Sequence, residues 1–162
     1  RGFNPAKRKS FIITEELHNT ISLEDYCLDW AVNPPDPDDR RLIIQQIARM
    51  ARKLHDNGIC HRDFYLCHFL LHKDCVSFPT LSLIDLHRAL TTKNLGQRWI
   101  VKDIAGLYYS AMNIGLSRRD LFRFALHYGE KSSKLSLRRN ISFWRRVERR
   151  AKSMHRKLGP SR

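Results

Sequence analysis

Asp36-Pro37 and Gly58 bracket the stretch that most restricts how this chain can fold. An Asp before the first turn accepts free backbone N–H groups. Pro is tolerated at the first helical position because it lacks an N–H that would go unused there, and Gly ends a helix by adopting a left-handed conformation. Between these signals Ile43, Ile47, Met50, Ala51 and Leu54 recur at helical spacing, and Arg40, Arg41, Arg49 and Arg52 are expected on the outward face. The stretch is an amphipathic helix. At 162 residues and 42% hydrophobic content, the chain is about one domain and can remove roughly 70% of its unfolded surface from water.

Other elements can be placed around that helix. Phe11 to Thr14 is β-branched and aromatic and reads as a strand, followed by the polar connector Glu15-Glu16-Leu17. Ser22-x-x-Asp25 resembles a capping box and predicts a helix carrying Leu23, Tyr26, Cys27 and Trp30, stopped by Asn33-Pro34-Pro35. Ile59 to Phe69 has no helical period. Phe69-Leu70-Leu71 and Leu81-Ser82-Leu83-Ile84 predict a β-hairpin turning around Asp74 to Thr80. Helices are expected over Trp99 to Gly115, Arg118 to Gly129 behind a second capping box (Ser117-x-x-Asp120), and Leu135 to Leu158. The fold class is mainly α with a small β-hairpin. The chain opens on Arg1 and reaches its first strand after ten mostly polar residues, so it reads as entering a fold part-way.

The charge is unevenly spread. Thirty basic residues face 16 acidic ones, a net +14, and residues 138–162 carry ten Lys/Arg against Glu148 alone. Such a surface suits polyanions: nucleic acid, anionic lipid headgroups or a phosphorylated glycolipid. No apolar run exceeds four residues, far short of the ~20 that span a bilayer, and no secretory leader is read. Cys27, Cys60, Cys67 and Cys75 form no Cys-x-x-Cys pair and are expected to be reduced thiols of a cytosolic protein.

The chemistry-bearing stretch runs from His61-Arg62-Asp63 through His68 to Ile84-Asp85-Leu86-His87-Arg88. A hairpin brings its ends together, so Asp63, His68 and Asp85 are expected to converge. One carboxylate can then accept a hydroxyl proton while the other holds Mg²⁺ against ATP phosphates, and phosphoryl transfer needs mainly such positioning and charge neutralisation. His-Arg-Asp-x-x-x-x-Asn is a protein-kinase catalytic-loop pattern, and Asp-Phe-Gly its metal-binding one. Here His68 stands at the Asn position, and Leu86-His87 replaces Phe-Gly.

These two stretches, together with Phe11 to Leu17 and Arg98 to Leu107, resemble the bacterial lipopolysaccharide core heptose I kinase family of the protein-kinase-like superfold. The resemblance implies that residues 1–14 end in the last strand of an absent N-terminal lobe. It makes residues 15–19 the hinge and residues 20–162 the C-terminal lobe of a kinase-like (α+β) fold, with a basic C-terminal helix at 135–158. It implies Asp63 as catalytic base, Asp85 as Mg²⁺ ligand, and His68 as the second metal-proximal residue. His68 has a further reading, hydrogen-bonding a phosphate or orienting Asp63, because imidazole suits Mg²⁺ less well than oxygen. Thr14, Glu15, Glu16 and Leu17 would receive adenine, and Asp103 and His61 would support the catalytic loop. The implied reaction moves the ATP γ-phosphate to the first heptose of the inner core. Its implied setting is the cytoplasmic face of the inner membrane of a Gram-negative bacterium, with acyl carrier protein as a companion. Without a Gly-rich loop or strand Lys, the chain alone is expected to be nearly inactive.

Competing readings remain beside these. Cys60, His61, Cys67, His68, His72 and Cys75 could suggest zinc, but their spacing matches no standard finger. Ile141, Trp144, Val147, Ala151, Met154 and Leu158 form an apolar stripe. It either docks onto the domain or serves a lipid-surface helix. The rival to an enzyme is a non-catalytic basic module binding nucleic acid or anionic lipid. Two acids at a hairpin's ends do not serve that purpose and no RNP, KH or Cys₂His₂ pattern is present, so nucleic acid is not expected as a partner.

Overall fold

The computed structural model describes residues 15–74, 78–129 and 141–161. The bracketed helix, α2 (Pro37–Asp56), forms as its ends dictate. The Asp36 side chain accepts from the Asp38 N–H at 2.8 Å, and Asp38 and Asp39 place negative charge at the positive end of the helix dipole. Gly58 beyond it has φ of 72°, and a Cβ there would lie 1.9 Å from the Thr92 carbonyl oxygen. No other residue fits. The buried face comprises Ile43, Ile44, Ile47, Ala48, Ala51 and His55.

Before α2 lie strand β1 (Thr20–Ser22) and a single turn, α1 (Leu23–Tyr26), capped by the Ser22 side chain. This corrects the sequence expectation of a longer helix. The chain leaves helical geometry at Cys27 and runs through turns, yet still buries Cys27 and Trp30. After α2 come β2 (Ile59–Cys60), the expected hairpin strands β3 (Phe69–His72) and β4 (Thr80–Leu83), and β5 (Leu90–Thr91). β3 pairs antiparallel with β1 on one side and β4 on the other, with Phe69 opposite Leu83. β2 pairs with β5. The three short strands β1, β2 and β5 carry too few residues to show a period-two pattern, so the sequence reading had no signal for them.

Helices α3 (Gln97–Ser110), α4 (Arg118–Tyr128) and α5 (Ile141–Leu158) complete the fold. The Ser117/Asp120 capping box forms as expected. α5 lies along α3, and α4 along α2. Phe143, Val147 and Ala151 of α5 are buried, so the stripe docks, each large side chain contributing roughly 1.5–3 kcal/mol. Ile141 and Leu158, expected in that stripe, are more than half exposed, and Phe143 takes the buried place.

Arg40 also departs from expectation. It is not a solvated charge: its guanidinium donates to Asp120 at 2.8 Å and to the Gly115 carbonyl at 2.7 Å, and it stacks over Trp30. The arginine locks the start of α2 to the start of α4. The expected strand Phe11–Thr14, Cys75, and residues 135–140 of the last helix lie outside the described residues.

Candidate active site

The loop between β2 and β3 is held from below by α3. Asp103 is fully buried, and its carboxylate accepts from the backbone N–H groups of His61 (2.7 Å) and Arg62 (2.9 Å) and from the Cys60 thiol (3.3 Å). His55 adds a contact at 3.4 Å, and its other ring nitrogen shares a hydrogen bond with the Tyr128 hydroxyl at 2.7 Å. Burial pushes the Asp103 carboxyl pKa up. The hydrogen bonds from His55, His61, Arg62 and Cys60 outweigh it and leave the group below the ordinary carboxylate value. One turn on, Gly106 passes so close that a Cβ would meet the Phe64 carbonyl oxygen at 3.1 Å, and Ser110 Oγ accepts from the Leu66 N–H.

With its N–H fixed by Asp103, Arg62 takes the left-handed region at φ of 75°, and its guanidinium lies over Trp99. Such a conformation costs about 1–3 kcal/mol and persists only where surrounding contacts impose it. His61, turned inward and fully buried, donates Nε2–H to the Ile84 carbonyl at 2.9 Å. The Ile84 N–H in turn bonds the His68 carbonyl at 3.0 Å. Ile84 is thereby held from both sides, and Asp85 follows it in the left-handed region at φ of 63°.

The expected convergence is therefore present in outline. His68 Nδ1 donates to the Asp63 carbonyl at 2.6 Å, and its Nε2 lies 3.3 Å from Asp85 Oδ2. One imidazole ring thus bridges the Asp63 main chain and the Asp85 carboxylate. His87 also hydrogen-bonds Asp85. That bond is the main cause of an Asp85 pKa below the ordinary value, with the electrostatic influence of His87, His68 and His61 adding to it. The Asp63 side chain is 17% exposed, and Arg88 Nη1 reaches both its oxygens, at 3.1 and 3.0 Å.

Of the expected hinge residues, Thr14 lies outside the described residues, while Glu15, Glu16 and Leu17 are exposed, irregular chain leading to β1. Among the described residues no group of three His, Cys, Asp or Glu is placed to hold a metal, and no helix is long and apolar enough to cross a membrane. Sequence reasoning assigned no role to His55 or Arg88. His55 had a faint signal, a polar residue four positions after Ala51 on the buried face of α2. Arg88 closed the recognised motif, but only a folded turn shows that it reaches back to Asp63.

Asp63 and Asp85 joined through His68, over a loop that buried Asp103 braces, make a residue set that phosphoryl transfer can use. Comparison with known proteins agrees. The lipopolysaccharide kinase (Kdo/WaaP) family matches residues 1–128. The chain belongs to this family. It is 52% identical over 146 residues to the lipopolysaccharide core heptose(I) kinase WaaP of Escherichia coli, covering 87% of this chain and 55% of the relative. To the enzyme of the same description from Pseudomonas aeruginosa it is 43% identical over 158 residues, covering 96% of this chain and 59% of the relative. The chain thus spans little more than half the length of these relatives. A solved structure described as WaaP in complex with acyl carrier protein superposes with a TM-score of 0.86 at 44% identity, covering 96% of this chain and 66% of that one.

Proposed function

We propose that this chain is the C-terminal, kinase-like lobe (residues 20–162) of an ATP-dependent kinase. The kinase phosphorylates the first heptose of the lipopolysaccharide inner core. The observation that carries this reading is the joining of Asp63 and Asp85 through His68, over a loop whose backbone Asp103 holds. Asp63 accepts the proton of the acceptor hydroxyl. Glu15 to Leu17 and Thr14 before them form the hinge that takes adenine.

Asp85 fits Mg²⁺. Its side chain is 36% exposed and its carboxyl pKa lies below the ordinary value. Mg²⁺ binds through one or two carboxylates, with phosphates and water completing its shell, so an all-protein cage is not needed. The ion, when bound with ATP, neutralises phosphate charge. His68 lends this site a ring nitrogen at 3.3 Å from Asp85. Its Nδ1 is committed to the Asp63 carbonyl, so its main role is to fix the two acids relative to one another.

The setting proposed is the cytoplasmic face of the inner membrane of a Gram-negative bacterium. With Phe143, Val147 and Ala151 docked, α5 turns Arg149, Arg156 and Lys157 outward. That face suits an anionic membrane or an acidic protein. Acyl carrier protein, with which the solved relative forms a complex, is the proposed protein partner. A cavity of about 520 Å³ whose walls include Trp30, Ile43, Ile47, Leu107, Phe124 and Trp144 is predominantly apolar and suits an acyl chain.

Asp63→Ala, assayed at the full length of the relatives, tests the central reading. Loss of a general base predicts a fall in transfer of about 10²–10⁴-fold, with the thermal transition kept. Undiminished transfer overturns the assignment.

A further inference from the structure

The base proposed above is held at both ends, by His68 of its own loop and by Arg88 from beyond the β3–β4 hairpin. His68 takes its main-chain carbonyl, and Arg88 takes its carboxylate. Arg88 gets there through an unusual route. Asp85 adopts the left-handed region, a single 3₁₀ turn follows over Leu86–Arg88, and Ala89 N–H closes on the Leu86 carbonyl at 2.9 Å. The turn reverses the chain so that residue 88 faces back toward the catalytic loop. β5 then pairs with β2, immediately before that loop, and fixes the far end of the turn. The same segment that presents Asp85 therefore presents Arg88 to Asp63.

We propose that Arg88 is a positioning residue for the catalytic carboxylate. This rests on Asp63 being the base. Arg88 Nη1 is within 3.1 Å of both carboxylate oxygens, so one nitrogen bridges them and fixes where the carboxylate end of Asp63 lies. An ionised carboxylate offers about four acceptor directions, leaving room for the acceptor hydroxyl beside the arginine. The guanidinium is always charged, and because it contacts the carboxylate through one nitrogen, a lysine ammonium can supply part of the same contact. Arg88 is half exposed and Asp63 mostly buried. The pair is then worth little to global stability, and its use lies in fixing where the reactive oxygens point.

The test is a set of variants at the relatives' full length: Arg88→Ala, Arg88→Lys, Asp63→Asn, and the Asp63→Asn/Arg88→Ala double variant. Misplacement of a reacting group by about 1 Å costs about 10²-fold. Arg88→Ala is therefore expected to lower kcat by about that factor with KM for ATP unchanged. Arg88→Lys should recover part of the loss, and the melting temperature should hold in both. Calorimetric affinity for MgADP should be the same in Arg88→Ala and the parent. In the Asp63→Asn background, removing Arg88 should cost nothing more.

Three results overturn the proposal. They are full activity in Arg88→Ala, a clear loss of MgADP affinity (which makes Arg88 a phosphate ligand), or an undiminished Arg88 effect when Asp63 is already Asn. Full activity in Asp63→Asn is a different failure: it removes the base assignment, and the positioning role with it.

Discussion

Asp103 is the residue on which the loop's geometry is expected to depend most. Replacing it with Ala deprives the backbone N–H groups of His61 and Arg62 of their acceptor inside the protein. Hydrogen bonds to a charged partner are worth about 1.5–3 kcal/mol each, so these two put the loss at about 3–6 kcal/mol. At about 2–4 °C per kcal/mol for a chain of this size, the melting temperature should drop by roughly 10 °C. Asp103→Asn should fall between the parent and the Ala variant. One oxygen remains to accept, while the new amide presents a donor to a donor. The pH dependence has a defined sign. The folded pKa lies below the unfolded value of about 3.9. The contribution is therefore complete above that value and disappears as pH falls through the folded pKa. Thermal melts of parent and Asp103→Asn should run a constant distance apart from about pH 5 to 8 and close up below about pH 4. A shift under about 2 °C for Asp103→Ala at pH 7 would refute the reasoning. So would a gap between parent and Asn variant that holds unchanged into acid.

Two further outcomes are expected. Gly58→Ala should cost at least about 2 kcal/mol in denaturant unfolding, because φ is 72° and the added carbon meets a carbonyl oxygen; Gly96→Ala, with open space around it, is the near-neutral control. Replacing Arg149, Arg156 and Lys157 with Gln should weaken binding to vesicles containing anionic lipid by roughly 10²-fold at low salt, at about 1 kcal/mol per basic residue; binding that is equal on neutral vesicles at high salt contradicts an electrostatic attachment.

What the sequence made legible was what depends on neighbours along the chain. Asp36-Pro37 and Gly58, the Ser117/Asp120 capping box, and the Phe69–Leu83 hairpin are local rules, and each appears where expected. The interval from Ser22 misled because Ser22 and Asp25 do cap a turn, while Pro34 and Pro35 lie too far on to show where helical geometry ends. Arg40 looked like every other arginine on its face of α2. Its partner is Asp120, eighty positions away, and no periodicity reports that. The site divides in the same way. The nearness of Asp63, His68 and Asp85 could be expected because a hairpin joins its own ends, whereas the contacts of His55 and Arg88 form only after helices α2 and α3 and strands β2 and β5 have assembled.

The acids of the candidate site keep local partners although the chain as a whole is strongly basic. Each acid of the site has a local cationic or proton-donating partner: Arg88 for Asp63, His87 and His68 for Asp85, and His55 with two backbone N–H groups for Asp103. Much of the positive excess instead lies in residues 138–162, and the described part of that segment is α5, packed on α3 through its apolar stripe. α3 has two duties on two faces. One holds the loop through Asp103, and the other seats the basic helix.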